Sequence, residues 1–177
     1  MKKTLSLIVA ATLAGCASLA PPPPRPVQLM TTFNKQDVAW FGIEGKGTIT
    51  GQAFFQTRGG QPRTCAGLEV DLRPKSDYAE ERLRAIYGSS DKGYATAAAT
   101  RVAFLPDSPI YLQTQKKSVC DAQGNFVFTN LPAGNYVIIS IVVWTIPGQE
   151  YMPPEGGALM QSVSLGEGET KRVILTP

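Results

Sequence analysis

Residues 121–144, DAQGNFVFTNLPAGNYVIISIVVW, constrain the fold more than any other stretch of the chain. Asp121-Ala-Gln-Gly124 and Leu131-Pro-Ala-Gly134 carry the chemistry of two tight turns. Asp can bond its own backbone, Gly accepts positive φ, and Pro arrives with φ already set. Between the turns, Asn125–Thr129 places Phe126 and Phe128 on one face of a period-two segment. The run Tyr136–Trp144 follows, rich in β-branched residues that favour extended backbone. Tyr136, Ile138, Val142 and Trp144 share one face, while Val137, Ile139, Ile141 and Val143 share the other. Both faces are apolar. An antiparallel sheet normally leaves one face to water, so this strand needs cover twice: once from an opposing sheet, once from another element.

The second cover is encoded in SDYAEERLRAIYG, residues 76–88. Asp77 reads as an N-cap with Glu80 three residues on, a capping box. Ala79, Leu83, Ile86 and Tyr87 recur at the spacing of one helical face. Glu80 and Glu81 lie toward the positive end of the dipole, Arg82 and Arg84 toward the negative end, and Gly88 supplies the stop. The pattern predicts a helix over 77–87 whose stripe covers the outer face of 136–144. Were it to pack elsewhere, that face would become a partner surface.

Further strands are read at Thr48–Gln56, Leu68–Leu72, Val102–Leu105 and Ile110–Gln113, with a turn over 58–62. Met160–Leu165 and Lys171–Leu175 read as a hairpin around Gly166-Glu-Gly168. Ser89–Ala99, containing Asp91-Lys-Gly-Tyr94, is small and polar; it reads as a mobile loop, either a binding element or slack. Residues 149–157 belong at one end of the assembly, where Tyr151 and Pro153-Pro154 stand with Trp40-Phe41 and Trp144 as a candidate aromatic platform for a glycan or small ligand.

Taken together, GTITGQAFF, CAGLEVDLRP, CDAQGNFVFTNLPAGNYVI and QSVSLGEGETKRVIL resemble the carboxypeptidase regulatory-like domain. The resemblance implies a mainly β fold, a single prealbumin-like (transthyretin-type) antiparallel β-sandwich over 47–177, with 75–119 as a partly helical insertion. In the carboxypeptidases that give the group its name the module sits beside a zinc peptidase domain, and this sequence has no His-x-x-Glu. Hydroxyisourate hydrolases and intradiol dioxygenases, enzymes on related sandwiches, rely on histidines.

The chain has no histidine at all. Ser-His-Asp and Cys-His nucleophile systems therefore have no base, and imidazole-dependent metal sites have no ligand. The expectation is a non-enzymatic protein with no catalytic residue, no metal site and no cofactor. An enzyme working through carboxylates alone would draw on Asp71, Asp77, Glu80 and Glu81. Against it, LEVDL puts Glu69 and Asp71 on a wet strand face, and the helix dipole explains the paired glutamates. Charge points to no polyanion: 17 cations oppose 14 acids, and no basic cluster is interleaved with aromatics, so nucleic acid is not an expected partner.

The opening MKKTLSLIVAATLAGC has the parts of a secretory signal. Lys2 and Lys3 precede an apolar stretch, Leu5–Ala14, about half the roughly 20 residues that a membrane-crossing helix needs. Leu13-Ala-Gly-Cys16 resembles the lipobox of bacterial lipoproteins. That resemblance implies removal of residues 1–15 and acyl chains (diacylglycerol and palmitate-type lipid) on Cys16, at about 0.8 kcal/mol per buried methylene. Ala17 is not the aspartate of an inner-membrane retention signal, which favours an outer-membrane anchor facing the periplasm. Residues 16–46, with Pro21–Pro24 and Pro26, read as a polyproline II spacer and lead-in, or as a proline-rich ligand. Beyond the cytoplasm the two remaining thiols, Cys65 and Cys120, are expected to pair, worth about 4 kcal/mol in chain entropy. The functional expectation is a membrane-tethered accessory module that binds an envelope protein; the alternative is a glycan or small-ligand binding module.

Overall fold

A computed structural model of the chain describes residues 23–57, 59–148 and 151–177. The segment read as a secretory signal, and Cys16 of the run that resembles a lipobox, lie outside the described residues. In chain order the elements are β1 (Arg25–Gln28), β2 (Gly47–Gln56), β3 (Pro62–Thr64), β4 (Glu69–Pro74), α1 (Asp77–Tyr87), β5 (Lys92–Thr96), β6 (Val102–Leu105), α2 (Pro109–Gln113), β7 (Lys116–Val119), β8 (Asn125–Leu131), β9 (Gly134–Trp144), β10 (Glu155–Leu165) and β11 (Thr170–Leu175). A 3-10 segment, Lys35–Gly42, joins the lead-in to β2.

Two sheets face each other as a β-sandwich. One runs β5-β10-β9-β4-β7; in the other, β2 is flanked by β11 and pairs with β8 and β3 on its opposite side. The core between them takes Ile49, Ala53 and Phe55 from β2, Phe126 and Phe128 from β8, and Tyr136, Ile138 and Val142 from β9. Cys65 and Cys120 are buried in it and form a disulfide with Cα atoms 5.7 Å apart across a sequence separation of 55. It staples the approach to β4 to the exit of β7.

The outer face of β9 is covered as its pattern required, but only along half its length. Leu83, with Tyr87, packs on Val137, Met160 and Ile139. Ile141 stays 51% exposed and Val143 37%. The helix does not cover more because its stripe is divided. Ala79 and Ile86 turn instead to a satellite core with Leu29, Phe104 and Tyr111, built from the lead-in, β6 and α2. Arg82, read from the sequence as a dipole partner, is buried in that cluster. Its guanidinium lies 3.9 Å from the Phe104 ring centroid and pairs with Asp107 at 2.5 Å, so the aromatic face replaces the water it loses. Among the described residues no helix is long and apolar enough to cross a membrane.

Several sequence expectations are corrected. The cap of α1 is Ser76, whose hydroxyl accepts from Ala79 N; Asp77 is the first helical residue. Ile110–Gln113 is helix α2, not strand, because Ser108 caps it and Pro109 occupies its first turn. Ser89–Ala99 contains β5, which pairs antiparallel with β10. Arg25–Gln28 is a strand parallel to β6 rather than a free polyproline spacer; on a two-stranded edge Pro26 forfeits no ladder bond that matters. Finally, β10 and β11 are not a hairpin. The chain crosses between sheets at 166–169, and β11 pairs parallel with β2. Leu165 and Val173 thereby enter the core from opposite sides.

Candidate functional site

A cleft of about 540 Å³ opens where the N-terminus of α1 meets the start of β9 and the end of β10. Its lining is polar except for Val163: Lys75, Ser76, Asp77 and Glu80 from the β4–α1 corner, Asp91 before β5, and Asn135, Ser162 and Ser164 from the sheet. Strand alternation supplies the sheet residues. Val137 and Met160 point outward beneath the helix, so Asn135, Ser162 and Ser164 share that face just beyond the helix end.

Lys75 is the hub of the cleft. Its backbone N–H donates to Asn135 O at 2.8 Å, and its ammonium bridges Asp91 at 2.8 Å and Glu80 at 3.4 Å. The hydrogen bond to Asp91, and then Glu80, hold its pKa above the ordinary lysine value despite some burial. The same bond lowers the pKa of Asp91. The cleft therefore keeps both charges at neutral pH. Asp91 is itself fixed: its N–H donates to Ser89 Oγ at 3.1 Å, and its carbonyl accepts from Ser162 N at 2.6 Å. Ser162 Oγ donates to Ser90 O, and Ser164 Oγ donates to Asn135 Oδ1, each at 2.6 Å. The Asp77 carboxylate and Asn135 Nδ2 have no partner among the described residues, so an acceptor and a donor remain for a guest. Among the described residues no three His, Cys, Asp or Glu side chains are grouped to hold a metal ion.

The aromatic platform is divided by the fold. Trp40 lies edge-on to Tyr136 at 5.1 Å between ring centroids. Trp144 sits on Phe55 at 5.7 Å, and Phe55 on Tyr94 at 5.1 Å. Tyr136 and Trp144 are eight residues apart on β9, roughly 26 Å, so the tryptophans plug opposite ends of the sandwich. Each rests on a glycine. A Cβ on Gly134 would meet the Trp40 ring at 2.3 Å, and one on Gly156 would meet the Trp144 ring at 2.8 Å. Tyr136 donates its hydroxyl to Pro132 O at 2.5 Å, and burial pushes its pKa up to about 12. Tyr151 is 83% exposed in the β9–β10 connection. Residues 149 and 150 of that connection lie outside the described residues.

Of the four carboxylates weighed for acid–base work, Asp77 and Glu80 line the cleft. Asp71 pairs with Arg73 at 3.5 Å. Glu81 accepts from Met30 N, Thr31 N and Thr31 Oγ1 at 2.7, 2.9 and 2.6 Å, which straps the lead-in to α1. Sequence reasoning missed Lys75, Asn135, Ser162 and Ser164, which belong to no local motif. Asp91 fell within the loop it had marked.

No family model matches the chain, and no curated protein matches it. Solved structures do. A Pseudomonas aeruginosa protein described as a candidate carbohydrate-binding protein superposes with a TM-score of 0.67 at 22% identity, over 83% of this chain and 99% of that one. At that identity the likeness shows the β-sandwich fold alone. A DUF3823 family protein from Parabacteroides merdae is 12% identical, covers 75% of this chain and 46% of its own, and has a TM-score of 0.36. A minor pilin of Streptococcus agalactiae is 13% identical, covers 76% and 45%, and has a TM-score of 0.35. The chain spans less than half the length of those two structures.

Proposed function

We propose that the protein is a non-enzymatic saccharide-binding module of the bacterial cell envelope. The observation that carries this reading is the cleft at Lys75. Polyhydroxyl ligands are recognised by fixed donors and acceptors, and here an ammonium, carboxylates, an amide and hydroxyls converge with their mutual geometry already set. Support also comes from the fold shared with the Pseudomonas protein described as a candidate carbohydrate-binding protein. Calorimetry and amide chemical shifts on titrating peptidoglycan fragments and polysaccharides test it. Asp77→Ala or Asn135→Ala should each weaken binding roughly three- to tenfold, the worth of one hydrogen bond. The melting temperature should be lowered only slightly, by loss of the carboxylate at the helix N-terminus or of the Ser164–Asn135 bond. A silent titration across the panel, or binding indifferent to both substitutions, ends the reading.

A second reading, an accessory module for an envelope protein, is favoured by the half of the β9 outer face that α1 leaves bare. Ile141 and Val143 form an apolar strip that Ile141→Lys would abolish. Co-purification of a stoichiometric partner from solubilised envelopes, lost in that variant, is its signature.

For either role the tether is part of the proposal: acylation at Cys16 and residence at the outer membrane facing the periplasm. A disulfide suits such an oxidising compartment. We also place the sandwich in the prealbumin-like class, on the strength of the Asp121–Tyr136 turn–strand–turn unit and the two-sheet arrangement. Mass spectrometry of the mature N-terminus tests the anchor directly.

A further inference from the structure

At the far end of β9 from the cleft lies a second cavity, of about 500 Å³ and opposite character. Its walls are Pro23, Ala97, Ala98, Ala99, Pro153 and Pro154, with Arg25 and Arg101 as the two charges. The arginines are neighbours: Arg25 N donates to Arg101 O at 2.9 Å. The Arg101 side chain has no partner among the described residues. Arg25 spends one donor on Ala85 O at 2.7 Å and keeps the rest of its fork. Tyr151 and Met152, 83% and 51% exposed, lead directly into Pro153. Small apolar residues, an exposed tyrosine and methionine, and two guanidinium-bearing residues make up a surface suited to a lipid headgroup layer. The apolar groups enter its shallow part, and the arginines meet phosphate in forked geometry.

We propose that this end of the sandwich docks on the anionic lipid surface that holds the protein, fixing the molecule upright with the polar cleft outermost. The inference rests on the tether reading, and chain length commits it to that occupant. Pro23 is seven residues from Cys16, a span of at most roughly 25 Å even fully extended. The apolar end is thus held close to any membrane in which Cys16 is anchored. Gly134 and Trp144 bound the eleven residues of β9, so the opposite end stands roughly 33 Å farther out.

The full mature chain, acylated at Cys16, tests this in vesicles of phosphatidylcholine with or without phosphatidylglycerol. An environment-sensitive fluorophore is placed at Ala98→Cys or, at the opposite end after β10, at Glu167→Cys. Nitroxide-labelled lipids should quench the Ala98 probe several-fold more than the Glu167 probe, and more strongly with phosphatidylglycerol. Arg101→Ser should cut the phosphatidylglycerol-dependent part roughly fivefold, and salt should do the same. Equal quenching at both positions, with Cys16 shown by mass to be acylated, overturns the docking and leaves the anchor standing. A blue-shifted but unquenched Ala98 probe also overturns it, since a second copy of the chain then covers the surface. An unmodified Cys16 removes the anchor and this inference together.

Discussion

The two ends of the sandwich are built on the same strands yet differ in what they offer. At the Gly134 end, β9 and β10 set Asn135 opposite Ser164, one pair in from their ends, and an ion-paired lysine closes the corner. At the Trp144 end, prolines and alanines surround two arginines. Each end is plugged by a tryptophan seated on a glycine, so the plugs are common architecture and the rims carry the difference. Aromatic content alone is therefore a poor guide to the binding end here. The distinguishing residues are the polar side chains left over once the plug is in place.

The disulfide offers the largest way to test that comparison, because it staples the Trp144 side. Cys65→Ser with Cys120→Ser should cost about 4 kcal/mol in denaturant unfolding. Hydrogen exchange should rise first in β4 and β7, while the cleft amides at Asn135 and Ser164 stay protected longer. Uniform loss of protection would show that the ends do not behave independently.

Next come the glycine seats. Gly156→Ala meets backbone (Val142 O at 2.2 Å from the new Cβ) as well as the Trp144 ring, and its φ is +90°; roughly 2–4 kcal/mol should be lost. For Gly134→Ala the three nearest atoms all belong to the Trp40 ring, and the change should cost roughly 1–3 kcal/mol, with a red shift of tryptophan emission as Trp40 is expelled. Equal melting temperatures for the two variants would erase the asymmetry.

The smallest effect concerns the strap. Glu81 accepts hydrogen bonds from Thr31 and Met30, which lower its pKa below the ordinary carboxylate value. A depressed folded pKa means that the contribution is present above about pH 4.5 and is lost as pH falls through the folded value. The protection factors of the Met30 and Thr31 amides, corrected for the pH dependence of intrinsic exchange, should therefore fall on acidification ahead of those of the sheet. Glu81→Gln should remove that pH dependence. Unchanged protection factors between pH 7 and pH 3 would disconnect the strap from the carboxylate.

Much of the fold was legible because it rests on local rules. The β-rich run at Thr48–Gln56, the period-two run at Leu68–Leu72, the Asp121–Gly124 turn and the stop at Gly88 each need only near neighbours. The doubly apolar strand even announced its helical cover. The cleft was not legible: Lys75, Asp91, Asn135 and Ser164 come from four separated segments whose polarity, read singly, fits any solvated surface. The supposed β10–β11 hairpin failed for a related reason, since Gly166-Glu-Gly168 fits a tight turn and an inter-sheet crossing equally well.

By itself the sequence determined that the chain makes a sheet needing cover on both faces, that histidine chemistry is closed to it, and that two thiols await each other. Those properties reside in residue type and spacing, which no packing can alter. Tertiary structure decided that the helix covers half a strand, that the tryptophans part to opposite ends, and that ions and hydroxyls gather at one corner. Each of those depends on which distant segments compete for the same apolar surface, and that competition is resolved only when the whole chain folds.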